Sequence, residues 1–454
     1  MKLSYKRTFF IGLAFMSICS FWQMYDTIIP LMLKNTFHLG ETVTGIVMAL
    51  DNVLALFLLP LFGAFSDRID TPLGKRTPFI LVGTIISVIA MTFIPIADQL
   101  GNMVLFLVFL AVVLIAMGSY RSPAVALMPD LTPKPLRSKA NSIINLMGAV
   151  GGVYTLGMIK LLVREGSDSY TPLFLSISAI MVASVILLVI TIPERKLSRT
   201  MNQEEGLEIE LSGEEKELDS LDEMSKEEAV PVSGVEKRYE QGVDQAAGDK
   251  MPKDVRRSFL FILASIFLWF FAYNAVTTAY SRYTQQVWGL NKAGFTDSLL
   301  IAMIAAILSY IPIGIIASQI GRKKTIIAGI VLMTASYICG AFFLHYSPWI
   351  NVVFAFTGIG WAAINVNSYP MVVEMCKGSD IGKYTGMYYT FSMAAQILTP
   401  IVSGALLEYV SYRTLFPYAI IFSAASLCTM LAVKHGDSKP PKKQDVMENF
   451  DTAD

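Results

Sequence analysis

The chain has 454 residues, of which 54% are hydrophobic and only 16% are charged, and its mean hydropathy is +0.53. This composition excludes an ordinary soluble protein, in which about 25% of the residues are charged. Its 36 basic and 36 acidic residues leave no formal net charge, and we predict a membrane protein with no nucleic-acid partner.

Twelve runs of the chain are long and apolar enough to cross a membrane. A helix needs about 20 mostly apolar residues for this, because the hydrocarbon layer is about 30 Å thick and a helix rises about 1.5 Å per residue. The predicted spans cover residues 8–33, 43–66, 77–97, 102–129, 141–163, 171–192, 258–283, 295–319, 325–346, 349–375, 384–407 and 414–433.

Basic residues are concentrated in the connections at one side of the predicted spans. The tight turn after the second span alone holds Arg68, Lys75 and Arg76. The opposite connections have only Lys34, Arg164, Arg282, Lys292 and Arg413. Since connections rich in Lys and Arg stay in the cytoplasm, both chain ends are predicted to be cytoplasmic.

An acidic segment divides the spans six and six. Residues 193–257 carry 18 of the 36 acids and 11 of the 36 bases, and dense charge with few aromatics does not fold unaided. The predicted organisation is an N-terminal six-helix bundle (1–192), a disordered acidic cytoplasmic linker (193–257), a C-terminal six-helix bundle (258–433) and a cytoplasmic tail (434–454). The linker is interpreted as a flexible tether, with a partner-binding or regulatory segment as the alternative.

The two halves of the chain resemble each other. "PLFGAFSDRIDTPLGKRTPFI" after the second span has a shorter counterpart after the eighth, "PIGIIASQIGRKKTII". "GSYRSPAVALMPD" (118–130) aligns with "AAINVNSYPMVVE" (362–374), which matches Asp130 with Glu374. Repeated halves indicate a transporter that rocks one half against the other around a central site.

The charged turns between spans predict a conformational latch. Bases there satisfy the cytoplasmic rule, but acids at a helix end can also form ion pairs or reach a neighbouring helix N-terminus. Such contacts would hold one conformation and break in the other. The predicted latch residues are Gly63, Asp67, Arg68, Gly74, Lys75, Arg76, Gly321 and Arg322.

The same turn carries a family resemblance. "G-x-x-S-D-R…G-K-R-x-P" (63–78) resembles the signature loop of the major facilitator superfamily. "GKYTGMYYTFSMAAQILTP" (382–400), "ALMPDL" (126–131) and "FWQMYDTIIP" (21–30) resemble the branch of sucrose and glucoside proton symporters, which is related to the glycoside-pentoside-hexuronide cation symporters. The resemblance implies an all-α fold of twelve transmembrane helices in two pseudo-symmetric six-helix bundles.

The fourth and second spans depart from those relatives. Plant sucrose carriers have an acid deep in the fourth span, whereas this span has no acid before Asp130 and carries Arg121 instead. Melibiose-type permeases place paired aspartates in the second span, which offers only Asp51 here. Sodium coupling is therefore disfavoured, and the proton site of the relatives cannot be copied to this chain.

Asp26 and Asp51 are the predicted proton-coupling residues. At about 1.5 Å per residue, both lie roughly 12 Å below the outer surface on antiparallel spans, so we expect them to face each other or one cavity. Charges inside a membrane are costly and mark function; a structural ion pair is the alternative for each. Arg121 is expected either to bind substrate hydroxyls or to pair with an acid at the cytoplasmic end.

Sugar recognition needs hydrogen-bonding groups and aromatic faces at mid-membrane depth. The predicted substrate-binding residues are Trp22, Gln23, Asp26, Arg121, Tyr273, Asn274, Trp361 and Asn365. Ordinary helix packing is the alternative for each aromatic residue. Trp361 and Asn365 are favoured because their four-residue spacing places both on one helix face.

The sequence predicts neither an enzyme nor an ATP-driven pump. No phosphate-binding loop is present, and the three histidines and four cysteines have no catalytic or metal-ligand arrangement. We predict a monomeric transporter in the plasma membrane, without a cofactor or metal, that takes up a sugar or glycoside with protons. The alternatives are a proton-coupled exporter of amphipathic compounds and a transporter-like sugar receptor.

Overall fold

The computed structural model describes residues 4–132, 137–163, 169–200, 252–375 and 381–437. Within these ranges, twelve helices are long and apolar enough to cross a membrane, which confirms the predicted fold class. They are α1 (Tyr5–Asn35), α2 (Glu41–Arg68), α3 (Thr77–Gln99), α4 (Met103–Asp130), α5 (Arg137–Leu162), α6 (Thr171–Thr191), α7 (Lys253–Trp288), α8 (Thr296–Ile320), α9 (Arg322–Ala341), α10 (Ile350–Glu374), α11 (Ile381–Tyr409) and α12 (Leu415–Ala432).

The helices alternate in direction, so the bundle has two ends. We call the end at which α1 begins and α12 ends the basic end, and the opposite one the far end.

Local sequence sets several helix boundaries. A proline in the first turn opens both α3 and α6, where its missing N–H has no helical partner to lose. Gly289 ends α7 in the left-handed conformation.

The two halves, α1–α6 and α7–α12, repeat the same pattern of packing. In the first half the neighbouring pairs are α1–α5, α1–α6, α2–α4, α3–α4 and α3–α6. The second half has the equivalent pairs α7–α11, α7–α12, α8–α10, α9–α10 and α9–α12. The halves meet mainly through α2–α11, α5–α8 and α1–α7. These three pairings place the interface between the halves at the centre of the bundle.

Both described ends of the predicted linker (193–257) are helical rather than disordered. Residues 194–200 are helical after α6, and α7 begins at Lys253, five residues before its predicted start. Pro252 precedes this helix and Asp254 lies in its first turn, where the helix dipole favours a negative charge. A helix therefore continues beyond the apolar run that marks its span. Residues 201–251, which include most of the acidic stretch, lie outside the described residues.

Large apolar side chains cover the outside of the bundle. Leu308 and Ile311 of α8 are 71% and 77% exposed, although both lie in the middle of a predicted span. Exposed apolar patches of this extent are rare on soluble proteins. They fit a surface that contacts lipid along the whole length of the helix.

Candidate functional site

A charged cluster lies at mid-depth in the first half. The Arg121 guanidinium of α4 lies 5.6 Å from the ring centre of Trp22 on α1. The charged groups that interact with the Asp26 carboxyl are Asp51 and Arg121, and Arg121 also interacts with Asp51. The structure thus brings together two predicted proton sites and a predicted substrate ligand from three helices.

Arg121 has no direct polar partner in this cluster. Within the described ranges, no hydrogen bond or ion pair ties its guanidinium to another side chain. Asp51 accepts a hydrogen bond from Asn52 at 2.7 Å instead of pairing with the base. Among the described residues, the acid at the basic end of the same helix, Asp130, pairs with Arg76, so the alternative of an ion pair between Arg121 and an acid at that end stays a prediction.

An aromatic wall faces the centre from the second half. The rings of Tyr273 on α7 and Trp361 on α10 are stacked, with centres 3.8 Å apart and planes at 4°. Phe270 meets Trp361 edge-on at 5.2 Å. The hydroxyl of Tyr310 on α8 interacts with both Tyr273 and the Asn365 side chain. We use the term aromatic wall for Phe270, Tyr273, Tyr310 and Trp361.

The wall borders a space that is open toward the basic end. Asn365 lies one turn beyond Trp361 on the same face of α10, nearer the basic end, and is exposed. Tyr389 of α11 is 54% exposed and interacts across the interface with Arg121 of α4. Polar groups that face the partner half but remain exposed indicate a water-accessible opening at that end.

Three other predicted residues point away from this opening or are enclosed beside it. The Gln23 side-chain oxygen lies 3.6 Å from the position that a Cβ would take at Gly152 of α5, so Gln23 faces the α5–α8 contact. The side-chain nitrogens of Trp22 and Asn274 are buried, and no described group accepts a hydrogen bond from either. Buried donors without an acceptor are costly, which makes them candidate ligand contacts.

At the basic end, Arg76 contacts two of the other predicted latch residues of the first half, Asp67 and Gly63. Its Nε donates to Asp130 at 2.7 Å, and its guanidinium also pairs with Asp67 and bonds to Ser66 and the Gly63 carbonyl. Burial works against its charge, but the hydrogen bonds and charges of Asp130 and Asp67 outweigh that cost and raise the pKa of Arg76. The cluster therefore links α2, α4 and the start of α3.

Glu194, rather than an acid of the predicted latch, occupies the N-terminus of α3. Its buried carboxylate accepts hydrogen bonds from the backbone N–H groups of Lys75, Arg76 and Thr77 at 2.7–3.2 Å. Gly74 makes room for it: its φ is +116°, and a Cβ there would lie 2.3 Å from the carboxyl carbon. The side chains of Arg68 and Lys75 are exposed, so these two predicted latch residues lie outside the cluster.

The second half has an equivalent cluster. Arg322 at the start of α9 pairs with Glu374 at the end of α10, as Arg76 pairs with Asp130. The Asp437 carboxylate lies beside Gly321 and accepts the Lys323 N–H at 3.2 Å, as Glu194 does for α3. The described contacts of each basic-end cluster stay within one half.

At the far end, a buried ion pair crosses between the halves. Glu41 at the start of α2 accepts a hydrogen bond from Arg282 Nε of α7 at 2.6 Å, and the two side chains are 1% and 4% exposed. The Tyr412 hydroxyl also donates to Glu41, and Lys34 lies 3.6 Å away. We call the group formed by Glu41, Arg282 and Tyr412 the far-end contact.

Close backbone packing accompanies this contact. The Glu408 carboxylate of α11 accepts the Thr42 N–H at 2.8 Å. A Cβ at Gly45 of α2 would lie 2.1 Å from the Pro400 carbonyl oxygen, and one at Gly404 would lie 2.5 Å from the Glu41 carbonyl oxygen. Only glycine permits α2 and α11 to approach this closely, so the far end is closed.

The sequence did not identify the far-end contact. Arg282 was counted only as one of five bases on the sparsely charged side, near the predicted end of its span at residue 283. Because α7 continues to Trp288, Arg282 lies inside a helix, where a charge needs a partner. That helix length is the signal that a sequence reading could have used, but it does not name Glu41, 241 residues away.

The fold and its family agree. The profile of the Major Facilitator Superfamily matches residues 11–311 and 299–450. These matches cover nearly the whole chain, and the chain belongs to the Major Facilitator Superfamily. It is a multi-pass membrane protein with the transporter fold of that family.

Similar curated proteins match short segments. An uncharacterized MFS-type transporter of Mycobacterium tuberculosis is 25% identical over 130 residues, which span 28% of this chain and 19% of that protein. A sucrose transport protein of Arabidopsis thaliana is 24% identical over 138 residues, which span 26% of this chain and 23% of that protein. The chain thus spans only about a fifth of the length of these relatives.

Solved structures are similar over the whole fold. The inward-open xylose transporter XylE from E. coli has a TM-score of 0.63 and 14% identity, with 98% of both chains covered. A peptide transporter POT in complex with sulfate has a TM-score of 0.64 and 12% identity, with 95% of both chains covered. The nucleoside transporter NupG has a TM-score of 0.63 and 13% identity over 94% of this chain and 99% of that chain. These identities establish the shared fold alone.

Proposed function

We propose that this transporter takes up a sugar or glycoside together with protons by alternating access, as a monomer in the plasma membrane. The observation that carries the proposal is the pairing of the aromatic wall with the charged cluster. One half supplies stacked rings beside Asn365, and the other supplies Asp26, Asp51 and Arg121 at the same depth. A sugar presents apolar ring faces and many hydroxyls, which such a pair of surfaces can bind together.

The fold alone does not determine which substrate is transported. Xylose, peptide and nucleoside transporters share it with this chain. The segment similar to a sucrose transport protein favours a sugar. Tyr273 and Trp361 stack on each other, so each ring leaves only its outer face for a ligand. This stacking places one of the largest aromatic surfaces of the second half beside an exposed amide, Asn365.

The orientation of the cycle follows from the basic residues. With the basic end in the cytoplasm, the closed far end is extracellular and the structure is open to the inside. Substrate would leave from this state. The return to the outward-open state requires the far-end contact to separate and the halves to close at the basic end.

Asp26 is the proposed coupling acid, with Asp51 as its partner. Two carboxylates that interact within the membrane are costly when both are charged. Protonation of one removes a charge and permits the surrounding helices to close around it. A single proton taken up and released once per cycle would couple the proton gradient to substrate movement.

The test uses purified protein in liposomes, with an imposed pH or sodium gradient and labelled mono- and disaccharides. We expect uptake against the substrate gradient when the exterior is acidic, and none with sodium alone. Asp26→Asn should abolish this accumulation but preserve substrate exchange, which needs no net proton movement. The matched control is Asp254→Asn, which removes an exposed acid at the basic end. If the Asp26→Asn variant still accumulates substrate against its gradient, Asp26 is not the coupling acid, and Asp51 becomes the leading candidate.

The binding face has its own test. Asn365→Ala removes one hydrogen-bonding side chain and should weaken sugar binding roughly two- to tenfold, the equivalent of about 0.5–1.5 kcal/mol. Trp361→Ala removes a ring of the wall and should weaken it at least as much. Titration of the detergent-purified variants with the transported sugar measures both. Normal affinity in both variants would place the substrate elsewhere.

A further inference from the structure

We propose that a cavity at the basic end, outside the transport site, binds the phosphate headgroup of an anionic phospholipid. The cavity lies where α6 ends and the short helix 194–200 begins, and its bases are Arg195, Lys196 and Arg199. The phospholipid belongs to the leaflet at the basic end. Binding there depends neither on the identity of the transported substrate nor on proton coupling.

The lining of this cavity suits a ligand with a charged and an apolar part. Its volume is about 590 Å³, within the range of about 300–1,000 Å³ that is usual for sites of small ligands. Beside the three bases, Leu73 and Val189 contribute apolar walls. Among the residues that the structure describes, the lining includes no acid. The cavity therefore combines donors for an anion with an apolar surface.

Arg195 has a donor without a partner beside this cavity. Its Nε is buried, and no described group accepts a hydrogen bond from it. Its terminal Nη2 lies 3.6 Å from the Asp70 carboxylate, which is too long for a hydrogen bond. A buried N–H without an acceptor is costly, and phosphate oxygens match the donor fork of arginine. A phosphate in the cavity would supply the missing acceptor.

Positive charge around the short helix exceeds the negative charge near it. A neighbouring cavity of about 380 Å³, which shares Pro193 with the first, is lined by Lys6 and Arg7 of α1. Asp70 offsets one base, and the Glu194 carboxylate is bound by backbone N–H groups at the start of α3. Clusters of about four to eight Lys or Arg directly beyond a membrane span are typical of sites for anionic lipids. The five bases of the two cavities form such a cluster.

The length and the exposed face of α6 place the cavity at the membrane boundary. α6 has 21 residues, which at about 1.5 Å per residue cross the hydrocarbon layer of about 30 Å, so the helix 194–200 begins at the level of the headgroups. Val189 lines the cavity, and Ile186, one turn earlier on the same face, is 49% exposed. Acyl chains can therefore lie along α6 below a bound headgroup, which favours a phospholipid over free phosphate.

The test compares two phospholipids with the same acyl chains. Dioleoyl phosphatidylglycerol carries a net negative charge, whereas dioleoyl phosphatidylcholine has no net charge. Native mass spectrometry of the detergent-purified, full-length protein, titrated with each lipid, measures the affinity for the first bound molecule. We expect the wild type to bind phosphatidylglycerol at least roughly tenfold more tightly, because each base near an anionic headgroup contributes roughly fivefold.

Variants assign this preference to the cavity. The triple variant Arg195→Gln/Lys196→Gln/Arg199→Gln removes its three bases and should weaken phosphatidylglycerol binding roughly tenfold to a hundredfold. Binding of phosphatidylcholine should change far less. The matched control removes three exposed bases from the basic end of the second half, by the substitutions Lys253→Gln, Arg256→Gln and Lys324→Gln. Since the charge lost is the same, this control should bind phosphatidylglycerol like the wild type.

Three outcomes would overturn the proposal. Equal affinity of the wild type for the two lipids is the first, and this comparison does not depend on the folding of any variant. Equal losses in the two triple variants would assign the preference to the general positive charge of the basic end. Displacement of phosphatidylglycerol by inorganic phosphate at similar concentrations would indicate a site for the free anion. A preference that is lost only in the variant of the cavity, without displacement by inorganic phosphate, would support the lipid site.

Discussion

The two ends of the bundle use ion pairs differently. At the far end, Glu41 and Arg282 form a buried pair that joins the halves. At the basic end, Arg76 and Arg322 form pairs within their own halves, and the carboxylate partner Asp67 is 61% exposed. Under the proposed alternating access, the contact that must separate is thus the buried one, while the exposed pairs stabilise each half as a unit.

This difference changes the interpretation of the predicted latch. Asp67 and its basic neighbours were expected to hold one conformation of the transporter. With the far end closed, the described contacts of Arg76 with Asp67 and Asp130 connect helices of the first half only. A role in switching remains a prediction. The structure adds the far-end contact as a second candidate latch. It is the stronger candidate because its ion pair is buried and joins the two halves.

The largest expected effect comes from breaking the buried pair. Arg282→Gln leaves Glu41 buried without its principal base, and loss of one partner from such a pair costs about 3–5 kcal/mol, or roughly a hundredfold to a few thousandfold in the closed-to-open ratio. We expect the far end to open. Spin labels on the exposed far-end residues Leu100 and Gln286, in a cysteine-free background, would report a longer distance.

The double variant Glu41→Gln/Arg282→Gln provides the control for this prediction. It removes both charges, so no unpaired charge is left at the interface, and it should stay closer to the closed distance than Arg282→Gln does. If the single and double variants give the same distances as the wild type, the far-end contact does not hold the halves together.

Close backbone packing should have the next largest effect. Gly404→Ala places a Cβ about 2.5 Å from the Glu41 carbonyl oxygen, and overpacking of this kind typically costs about 1–3 kcal/mol. The α2–α11 contact should loosen, and the same spin-label pair would show a partial shift. Gly314→Ala is the matched control, because no atom lies within 4 Å of its added Cβ. Equal behaviour of both variants would contradict the prediction.

The caps at the basic end should have smaller effects, unequal between the halves. Glu194 accepts three backbone N–H groups and the Thr77 hydroxyl, whereas Asp437 accepts the Lys323 N–H at 3.2 Å. Loss of a helix cap costs about 0.5–2 kcal/mol. Thermal unfolding in detergent should show a greater loss for Glu194→Gln than for Asp437→Asn. Equal losses, or a greater loss for Asp437→Asn, would contradict this prediction.

The smallest effect is expected for Asp67→Asn. Its carboxylate is 61% exposed, and Arg76 keeps Asp130 as a partner, so the exposed pair contributes about 0–1 kcal/mol. Far-end distances and transport should change little. A large change in thiol labelling at the centre of the bundle, with normal delivery to the membrane, would restore Asp67 as part of a switching latch.

The sequence alone determined the number of helices, their approximate limits and the duplication of the halves. These features depend on runs of about 20 apolar residues, which a bilayer requires wherever the chain crosses it. The match of Asp130 with Glu374 also follows from the repeat, and the structure gives both acids an arginine at the start of the preceding odd-numbered helix. Local patterns sufficed because the bilayer imposes them on each helix separately.

The sequence also came close to the central site. Depth along antiparallel spans predicted that Asp26 and Asp51 would approach each other, and the structure places them within electrostatic reach. It did not predict that Tyr310 would join Tyr273 and Asn365. Counting residues gives the depth of a side chain, but the direction in which it points depends on the rotation of its helix against its neighbours.

Only the tertiary structure decided which charges meet. Glu41 and Arg282 are 241 residues apart, and Glu194 reaches the start of α3 from 117 to 119 positions along the chain. Nothing in the local sequence around these residues specifies the partner. Burial makes a charge depend on one particular neighbour, and the packing of twelve helices determines which neighbour that is.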